Sequence, residues 1–161
     1  MIRLALDQAS HTSGYAIFDN DKLIKSGAFT VSGDTAARLM KIRNKVRELI
    51  EEYNVDNLII EDIQLQESAN NNVATFKTLA EVFGVIHELA FEMKVPFSSV
   101  TSSVWRSTLN IKGKYRADKK RAAQDYILNK YNLNATEDEC DAICIGIHDI
   151  IISTETFDWT E

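Results

Sequence analysis

Acidic side chains follow two short apolar segments of this sequence. Residues 4–6 are apolar and lead into Asp7, and residues 58–60 lead into Glu61. Each segment is typical of a strand that is buried on both faces. A carboxylate at the end of a buried strand is costly to desolvate unless a cation compensates its charge. Hard divalent cations do so with oxygen ligands, so the two acids indicate a metal-binding edge of a sheet.

A second pair of acids opens the last predicted helix. Asp138 and Asp141 lie three residues apart, so both project from one helix face within a turn. Together with Asp7 and Glu61 they form a set of oxygen ligands for Mg²⁺, or for Mn²⁺ in its place. Two such ions about 4 Å apart hydrolyse phosphodiesters, one activating water and the other stabilising the leaving oxygen. Any single acid is better explained as a cap, a turn residue or a solvated charge, but their recurrence favours a site.

A basic segment precedes the second pair of acids. Residues 101–131 hold 8 basic and 2 acidic side chains, whereas residues 132–161 hold 8 acidic side chains and no Lys or Arg. A DNA-contacting surface beside a metal pocket has this charge pattern, and from composition alone solvated helix faces explain it equally well. The predicted acidic site nearby favours DNA contact. The predicted DNA-binding residues are Lys112, Lys114, Arg116, Lys119, Lys120 and Arg121.

The strands and helices that position these residues can be predicted from the spacing of apolar residues. Apolar runs predict strands, three- and four-residue steps predict helices, and the length of 161 residues suits one domain over 1–161. The prediction is an α/β fold with a five-stranded mixed sheet, an antiparallel meander plus parallel strands, flanked by helices. The predicted strands are 4–7, 15–18, 22–31, 57–61 and 95–100; the predicted helices are 35–53, 73–93, 101–109, 119–131 and 137–152; and a polar loop covers 64–72.

Two helices carry side chains with alternative interpretations. The helix over 73–93 is predicted to bury a stripe formed by Phe76, Leu79, Ala80, Phe83 and Ala90. Cys140, Cys144 and His148 share one face of the last helix, which superficially resembles a soft-metal stripe. No second Cys or His pair completes four ligands, so we interpret them as core and interface residues. Trp105 is interpreted as a half-buried core residue.

The composition also predicts where the protein works. The longest apolar runs have four or five residues, and the N-terminus lacks the apolar region of a secretory signal. Two cysteines do not make a disulfide framework. We therefore expect no membrane partner and a reduced, intracellular, cytoplasmic location.

Three motifs together resemble those of a known family. The segment 6–15, Leu-Asp-Gln-Ala-Ser-His-Thr-Ser-Gly-Tyr, resembles the first motif of the RuvC family of Holliday junction resolvases, in the RNase H-like superfamily. Ile60-Glu61 resembles the second acidic motif of that family, and residues 138–142, Asp-Glu-Cys-Asp-Ala, resemble its closing Asp-x-x-Asp-Ala. The motifs cover nearly the whole chain in the right order.

The resemblance implies an RNase H-like nuclease that acts as a homodimer on four-way junctions. It would make paired nicks in branched DNA and leave 5′-phosphate and 3′-hydroxyl ends. The resemblance makes Lys119 the best match to a catalytic or DNA-contacting lysine of the family. It assigns Asp7, Glu61, Asp138 and Asp141 as metal ligands, with the option that one of the last two acts through water.

The chain departs from the family pattern at two places. Gln8-Ala9 replaces the usual Pro-Gly, which changes the stiffness of the loop but not the ligands. Gln64 stands where bacterial members carry an aromatic residue that interacts with bases, and Gln cannot stack on a base. A short, divergent chain of this kind resembles the bacteriophage branch, which implies the cytoplasm of a host cell.

Three other functions stay open from the sequence. A non-catalytic junction-binding protein would keep the fold, although the four acids weigh against it. An actin-like or sugar-kinase-like nucleotide-binding fragment also begins strand-Asp-turn-strand, but this chain is short for two lobes and has only 6 Gly for phosphate loops. A ribonuclease of the same superfamily is a neighbour within the enzyme class.

Overall fold

The structure, a computed structural model, describes residues 1–64 and 73–155. Most of the predicted polar loop therefore lies outside the described residues. The elements follow one another in the order β1 (Ile2–Asp7), β2 (Thr12–Asp19), β3 (Lys22–Thr30), α1 (Thr35–Tyr53), β4 (Asn57–Glu61), α2 (Val73–Glu92), β5 (Phe97–Val100), α3 (Ser102–Thr108), α4 (Arg116–Tyr131) and α5 (Glu137–Glu155).

The strands form one five-stranded sheet in the order β3-β2-β1-β4-β5. β1, β2 and β3 are antiparallel neighbours, whereas β4 runs parallel to β1 and to β5. The mixed sheet predicted from the sequence is thus confirmed. Leu6 pairs with Ile60, so β1 and β4 end level with each other. Their last residues, Asp7 and Glu61, therefore lie at the same edge of the sheet.

The side chains of each strand alternate between the two faces of the sheet, so each face has its own hydrophobic cluster. Ala5 and Ile59 pack in the hydrophobic cluster that includes α3, α4 and α5. Leu4, Leu6 and Ile60 pack in the other cluster, with α1 and α2. Successive side chains of a strand point to opposite faces. The acids that follow Leu6 and Ile60 therefore face the side of the sheet on which α3, α4 and α5 lie.

Two helices differ from their predicted form. α2 buries Val82, Ile86, Leu89 and Ala90. Of the predicted apolar stripe only Ala90 is fully buried, whereas Phe76, Leu79, Ala80 and Phe83 are half-buried, so the buried face of α2 is rotated from the predicted one. The aliphatic positions of α2 pack against the core, while Phe83 stays half-buried and meets Phe97 of β5 edge-on, at 5.5 Å between ring centroids.

α4 begins at Arg116, three residues before the predicted start. The carboxylate of Asp118 accepts a hydrogen bond from the backbone N–H of Tyr115, at 3.0 Å, and so caps the helix early. Arg116 is consequently helical, although it lies outside the helix predicted over 119–131. By contrast, α1 has the predicted bounds, and the carboxylate of Asp34 caps it by accepting a hydrogen bond from the N–H of Ala37, at 2.9 Å.

Helix α5 is buried over ten successive residues, from Cys140 to Asp149. Cys140 and Cys144 are free, buried thiols, and Nδ1 of His148 shares a hydrogen bond with the hydroxyl of Thr108 at 2.8 Å. These residues belong to the core, as predicted. In the described ranges no helix is both long and apolar enough to cross a membrane.

Candidate active site

A cleft of about 420 Å³ opens at the ends of β1 and β4, where α3, α4 and α5 approach the sheet. All four predicted acids line it: Asp7, Glu61, Asp138 and Asp141. Asp7 and Glu61 are the last residues of their strands, and the other two lie in the first turns of α5. The structure therefore brings together residues that are more than 130 positions apart in the sequence.

Contacts with the meander fix the start of α5. A Cβ atom on Gly14 of β2 would lie 1.9 Å from the carbonyl oxygen of Asp138, so only glycine allows this approach. Ser26 of β3 donates a hydrogen bond to the carboxylate of Glu139, at 2.7 Å. Both contacts hold the first turn of α5 against the sheet. Gly14 lies within the motif over 6–15, but the motif alone does not indicate this contact.

The carboxylates of the cleft repel one another. Burial raises the pKa of Asp7 well above its ordinary value, and the nearby charges of Glu61 and Asp141 raise it further. Burial also raises the pKa of Glu61, although a hydrogen bond from Trp105 opposes that shift. Negative charge is therefore concentrated where water is scarce, and a bound cation would relieve the repulsion.

Lys120 of α4 pairs directly with one of these acids. Its ammonium donates a hydrogen bond to Asp141 and forms an ion pair with it. Burial alone would lower the pKa of Lys120, but the charge and hydrogen bond of Asp141 outweigh burial and raise it. Lys119, the lysine preferred from the sequence, also lines the cleft, but no carboxylate contact is described for it. Adjacent helical residues point about 100° apart, so only one of two neighbouring lysines can face Asp141.

Glu61 is held from two sides. The indole Nε1–H of Trp105 donates a hydrogen bond to Oε2 of Glu61 at 2.8 Å. The side-chain amide of Gln8 donates to the backbone carbonyl of Glu61 at 3.0 Å. Trp105 is fully buried rather than half-buried, and the guanidinium carbon of Arg106 lies 4.8 Å from the centre of its ring. The adjacent Trp-Arg pair was visible in the sequence, but its contact with Glu61 was not.

Three buried polar atoms in the described residues lack a hydrogen-bond partner, and all belong to side chains that line this cleft. They are Oε1 of Gln8, Nε of Arg106 and Oδ1 of Asp141. A buried group without a partner costs about 1–3 kcal/mol. Two acceptors and one cationic donor in one cleft are the groups that a bound cation and a bound anion would satisfy.

The donor set fits a hard divalent cation by chemistry. Its side chains offer oxygen ligands, and Oδ1 of Asp141 is buried without a partner. Within residues 1–64 and 73–155, however, no three His, Cys, Asp or Glu side chains are already arranged as a metal-binding group. Lys120 is one reason why the acids are not arranged around a metal ion, because its ammonium pairs with Oδ2 of Asp141.

Half of the predicted DNA-binding residues line the cleft, namely Arg116, Lys119 and Lys120. The other three, Lys112, Lys114 and Arg121, are exposed and lie outside its lining. Arg106, which was not among the predicted residues, adds a further cation to the lining. One wall of the cleft is therefore basic and faces the acidic pair of strand ends. Gln64 lies beside it, in a smaller cavity of about 130 Å³ that Gln8 and Glu61 also line.

Comparison with known proteins gave one family match. A family profile described as crossover junction endodeoxyribonuclease RuvC matches residues 4–149. A search of curated protein sequences gave no match.

Solved structures with the same fold include three Holliday junction resolvases. Thermus thermophilus RuvC in complex with a Holliday junction substrate matches with a TM-score of 0.78 at 13% identity, over 97% of this chain and 98% of that one. Fowlpox virus resolvase, in complex with substrate Holliday junction DNA, matches with a TM-score of 0.65 at 18% identity, over 95% and 99%. The yeast mitochondrial Holliday junction resolvase matches with a TM-score of 0.67 at 13% identity, over 98% and 80%.

Proposed function

Because this chain belongs to the RuvC family of crossover junction endodeoxyribonucleases, we propose that it resolves Holliday junctions and related branched DNA by metal-dependent hydrolysis of paired phosphodiester bonds. The observation that carries the proposal is the cleft, in which partly or fully buried carboxylates face a basic wall from α3 and α4. Thermus thermophilus RuvC and fowlpox virus resolvase, which share the fold, are each described in complex with Holliday junction DNA, and this supports a branched substrate.

The four acids would hold Mg²⁺, with Mn²⁺ as a substitute and two ions as the expected number. When bound, such ions supply Lewis-acid activation of the phosphodiester and of the attacking water. Asp7 and Glu61 offer ligands on rigid strand ends, and α5 carries Asp138 and Asp141 on a helix anchored to the sheet. One of the α5 pair would act through a water molecule.

The basic wall would hold the substrate backbone. Arg106 has a buried Nε–H without a partner, and this group would donate to a phosphate oxygen. We propose Lys120, rather than Lys119, as the lysine that assists the transition state, since Lys120 contacts a carboxylate of the cleft. Arg116 and Lys119 would make phosphate contacts at the rim.

Symmetric cutting of a junction requires two active sites, so we propose that the protein works as a homodimer. Sedimentation of the free protein and of its junction complex tests this proposal. We expect a species with twice the chain mass of 18.2 kDa. We also expect each such dimer to bind one junction. A monomer at all concentrations that still makes paired nicks would contradict it.

Cleavage of an end-labelled four-way junction tests the function directly. The wild-type protein, Asp7→Asn and the matched control Asp125→Asn are compared in Mg²⁺, Mn²⁺ and EDTA, with linear duplex of the same sequence as the second substrate. Asp125 is an exposed acid of α4 outside the cleft lining. We expect paired nicks near the crossover that are lost in EDTA and in Asp7→Asn but kept in Asp125→Asn.

Other outcomes would replace the proposal. Junction binding without cleavage in either metal would leave a non-catalytic junction-binding protein. Faster cutting of a chain-matched RNA branch would make the protein a ribonuclease.

A further inference from the structure

We propose that Trp105 is a positioning residue for metal binding: its indole N–H holds the Glu61 carboxylate in place through Oε2. The inference rests on the proposed function, because it concerns the ion that the cleft would bind. Trp105 is fully buried in the core cluster on the α5 side of the sheet. Its Nε1 lies 2.8 Å from Oε2 of Glu61, which is the distance of a well-formed hydrogen bond.

A glutamate needs such an anchor more than the aspartates of the cleft do. Its carboxylate is one methylene further from the backbone, so binding an ion costs it more rotamer freedom. The Nε1–H bond is the one hydrogen bond described for the Glu61 carboxylate within residues 1–64 and 73–155. Because Trp105 holds Oε2, the direction of the free oxygen Oε1 is defined before an ion arrives.

The indole is suited to this task because it donates a hydrogen bond without carrying a charge. Lys120 also holds a carboxylate, that of Asp141, but its ammonium offsets the negative charge that attracts a metal ion. Trp105 leaves the charge of Glu61 undiminished. The indole N–H stays neutral at every working pH, so the donor itself adds no charge that would repel a cation.

The backbone of Glu61 is anchored separately. The amide of Gln8 donates to the Glu61 carbonyl at 3.0 Å, so the strand end is fixed by one contact and the side chain by another. The guanidinium of Arg106 lies over the Trp105 ring at 4.8 Å, on a residue that also lines the cleft. A ring at position 105 thus has two contacts at the site, and only one of them depends on the N–H group.

A variant that keeps the ring but lacks the N–H group therefore distinguishes a role of Trp105 in positioning Glu61 from a role in packing alone. Trp105→Phe keeps an aromatic ring for Arg106 and removes the donor. Leu109→Ala is the matched control, since Leu109 is buried in the same core cluster and makes no described contact with Glu61. Where the Phe variant is poorly folded, benzothienylalanine at position 105 keeps the shape of tryptophan and lacks the N–H.

The measurement is Mn²⁺ affinity, from the electron paramagnetic resonance signal of the free ion, in the absence of DNA. Wild type, Trp105→Phe, Glu61→Ala and the double variant form a cycle. We expect Trp105→Phe and the benzothienyl variant to bind Mn²⁺ about tenfold more weakly, since a hydrogen bond to a charged group has about that effect. In the Glu61→Ala background the change at position 105 should have no further effect, and Leu109→Ala should bind as wild type does.

Two results would overturn the inference. If Trp105→Phe binds Mn²⁺ as tightly as wild type, or if its effect is equally large with Glu61→Ala, then Trp105 serves packing alone. Failure of the proposed function looks different: wild type itself would bind no Mn²⁺ and cut no junction, and both proposals would fall together.

Discussion

At the scale of single residues, the cleft keeps negative charge where it is unfavourable. The pKa of Asp7 is raised by burial and by the neighbouring acids, so the folded chain binds its proton more tightly than the unfolded chain does. Ionisation of Asp7 therefore costs stability. This cost begins as the pH rises past the ordinary value of 3.8 and is complete above the folded pKa.

Asp7→Asn removes this cost, so stability and activity should change in opposite directions. In EDTA at pH 7 we expect the variant to be more stable than wild type, and to cut no junction. The difference in stability should shrink as the pH falls towards 4, because Asp7 then keeps its proton in wild type. Calorimetric unfolding at several pH values measures this difference in stability. If Asp7→Asn is less stable than wild type at pH 7, ionised Asp7 does not destabilise the fold.

The two adjacent lysines of α4 should have separable effects. Lys120→Met removes the partner of Asp141 and a cation of the cleft, so we expect the cleavage rate at saturating protein to fall about 10²-fold. Lys119→Met should keep that rate within a few fold and weaken junction binding instead. Single-turnover cleavage and gel-shift binding distinguish the two. The opposite pattern would restore Lys119 as the lysine that assists the reaction.

At the scale of elements, α5 is anchored at its first turn and again in its second half. Gly14 admits its first turn to the sheet, and the buried pair of Arg3 and Asp149 ties its second half to β1. Asn57 of β4 adds a hydrogen bond to Asp149 at 3.3 Å. The acids of α5 therefore keep a fixed position relative to the two strand ends.

Gly14→Ala should affect the active site more than the fold. Its Cβ would meet the backbone of Asp138, which cannot move aside without shifting the start of α5. We expect cleavage to fall at least about 10²-fold, because a shift near 1 Å misplaces Asp138 and Asp141.

Gly146→Ala is the control for that effect. Its Cβ would meet the ring of Phe18 at 2.2 Å, so it crowds the core of α5 away from the acids. It should lower the unfolding temperature by an amount that corresponds to about 1–3 kcal/mol, with cleavage retained by the folded fraction. If Gly14→Ala loses no more activity per folded molecule than Gly146→Ala does, the close approach does not position the acids.

At the scale of the whole molecule, charge is segregated. The chain has a net charge of −6, yet residues 101–131 carry 8 basic and 2 acidic side chains. Helix α4 and residues 111–115 expose this charge beside the cleft. A substrate with a dense phosphate backbone would therefore be attracted locally despite the overall charge.

Junction binding should weaken steeply with salt. Each phosphate contact contributes about −0.9 to the slope of log affinity against log salt concentration. Lys114→Gln and Arg121→Gln, two exposed positions outside the cleft, should each make the slope shallower by about 1 and leave the catalysed rate at saturation unchanged. Gel-shift titrations between 50 and 200 mM salt measure it. Unchanged slopes in both variants would place the DNA elsewhere.

The sequence by itself determined the fold class and the set of acids. Strand burial and helix periodicity are local patterns, so the five strands, the mixed sheet and the places of Asp7 and Glu61 follow from short segments. Asp138 and Asp141 were predictable because their spacing places both on one helix face.

Only the tertiary structure decided which other side chains serve the cleft. Lys120 reaches Asp141 across 21 positions, and Trp105 reaches Glu61 across 44. Such contacts depend on how far a helix is rotated about its axis and on which elements the sheet brings together. Neighbouring residues such as Lys119 and Lys120 share the same local pattern, so no local pattern could choose between them. The phase of α2 and the role of Gly14 were set in the same way, by packing between distant segments.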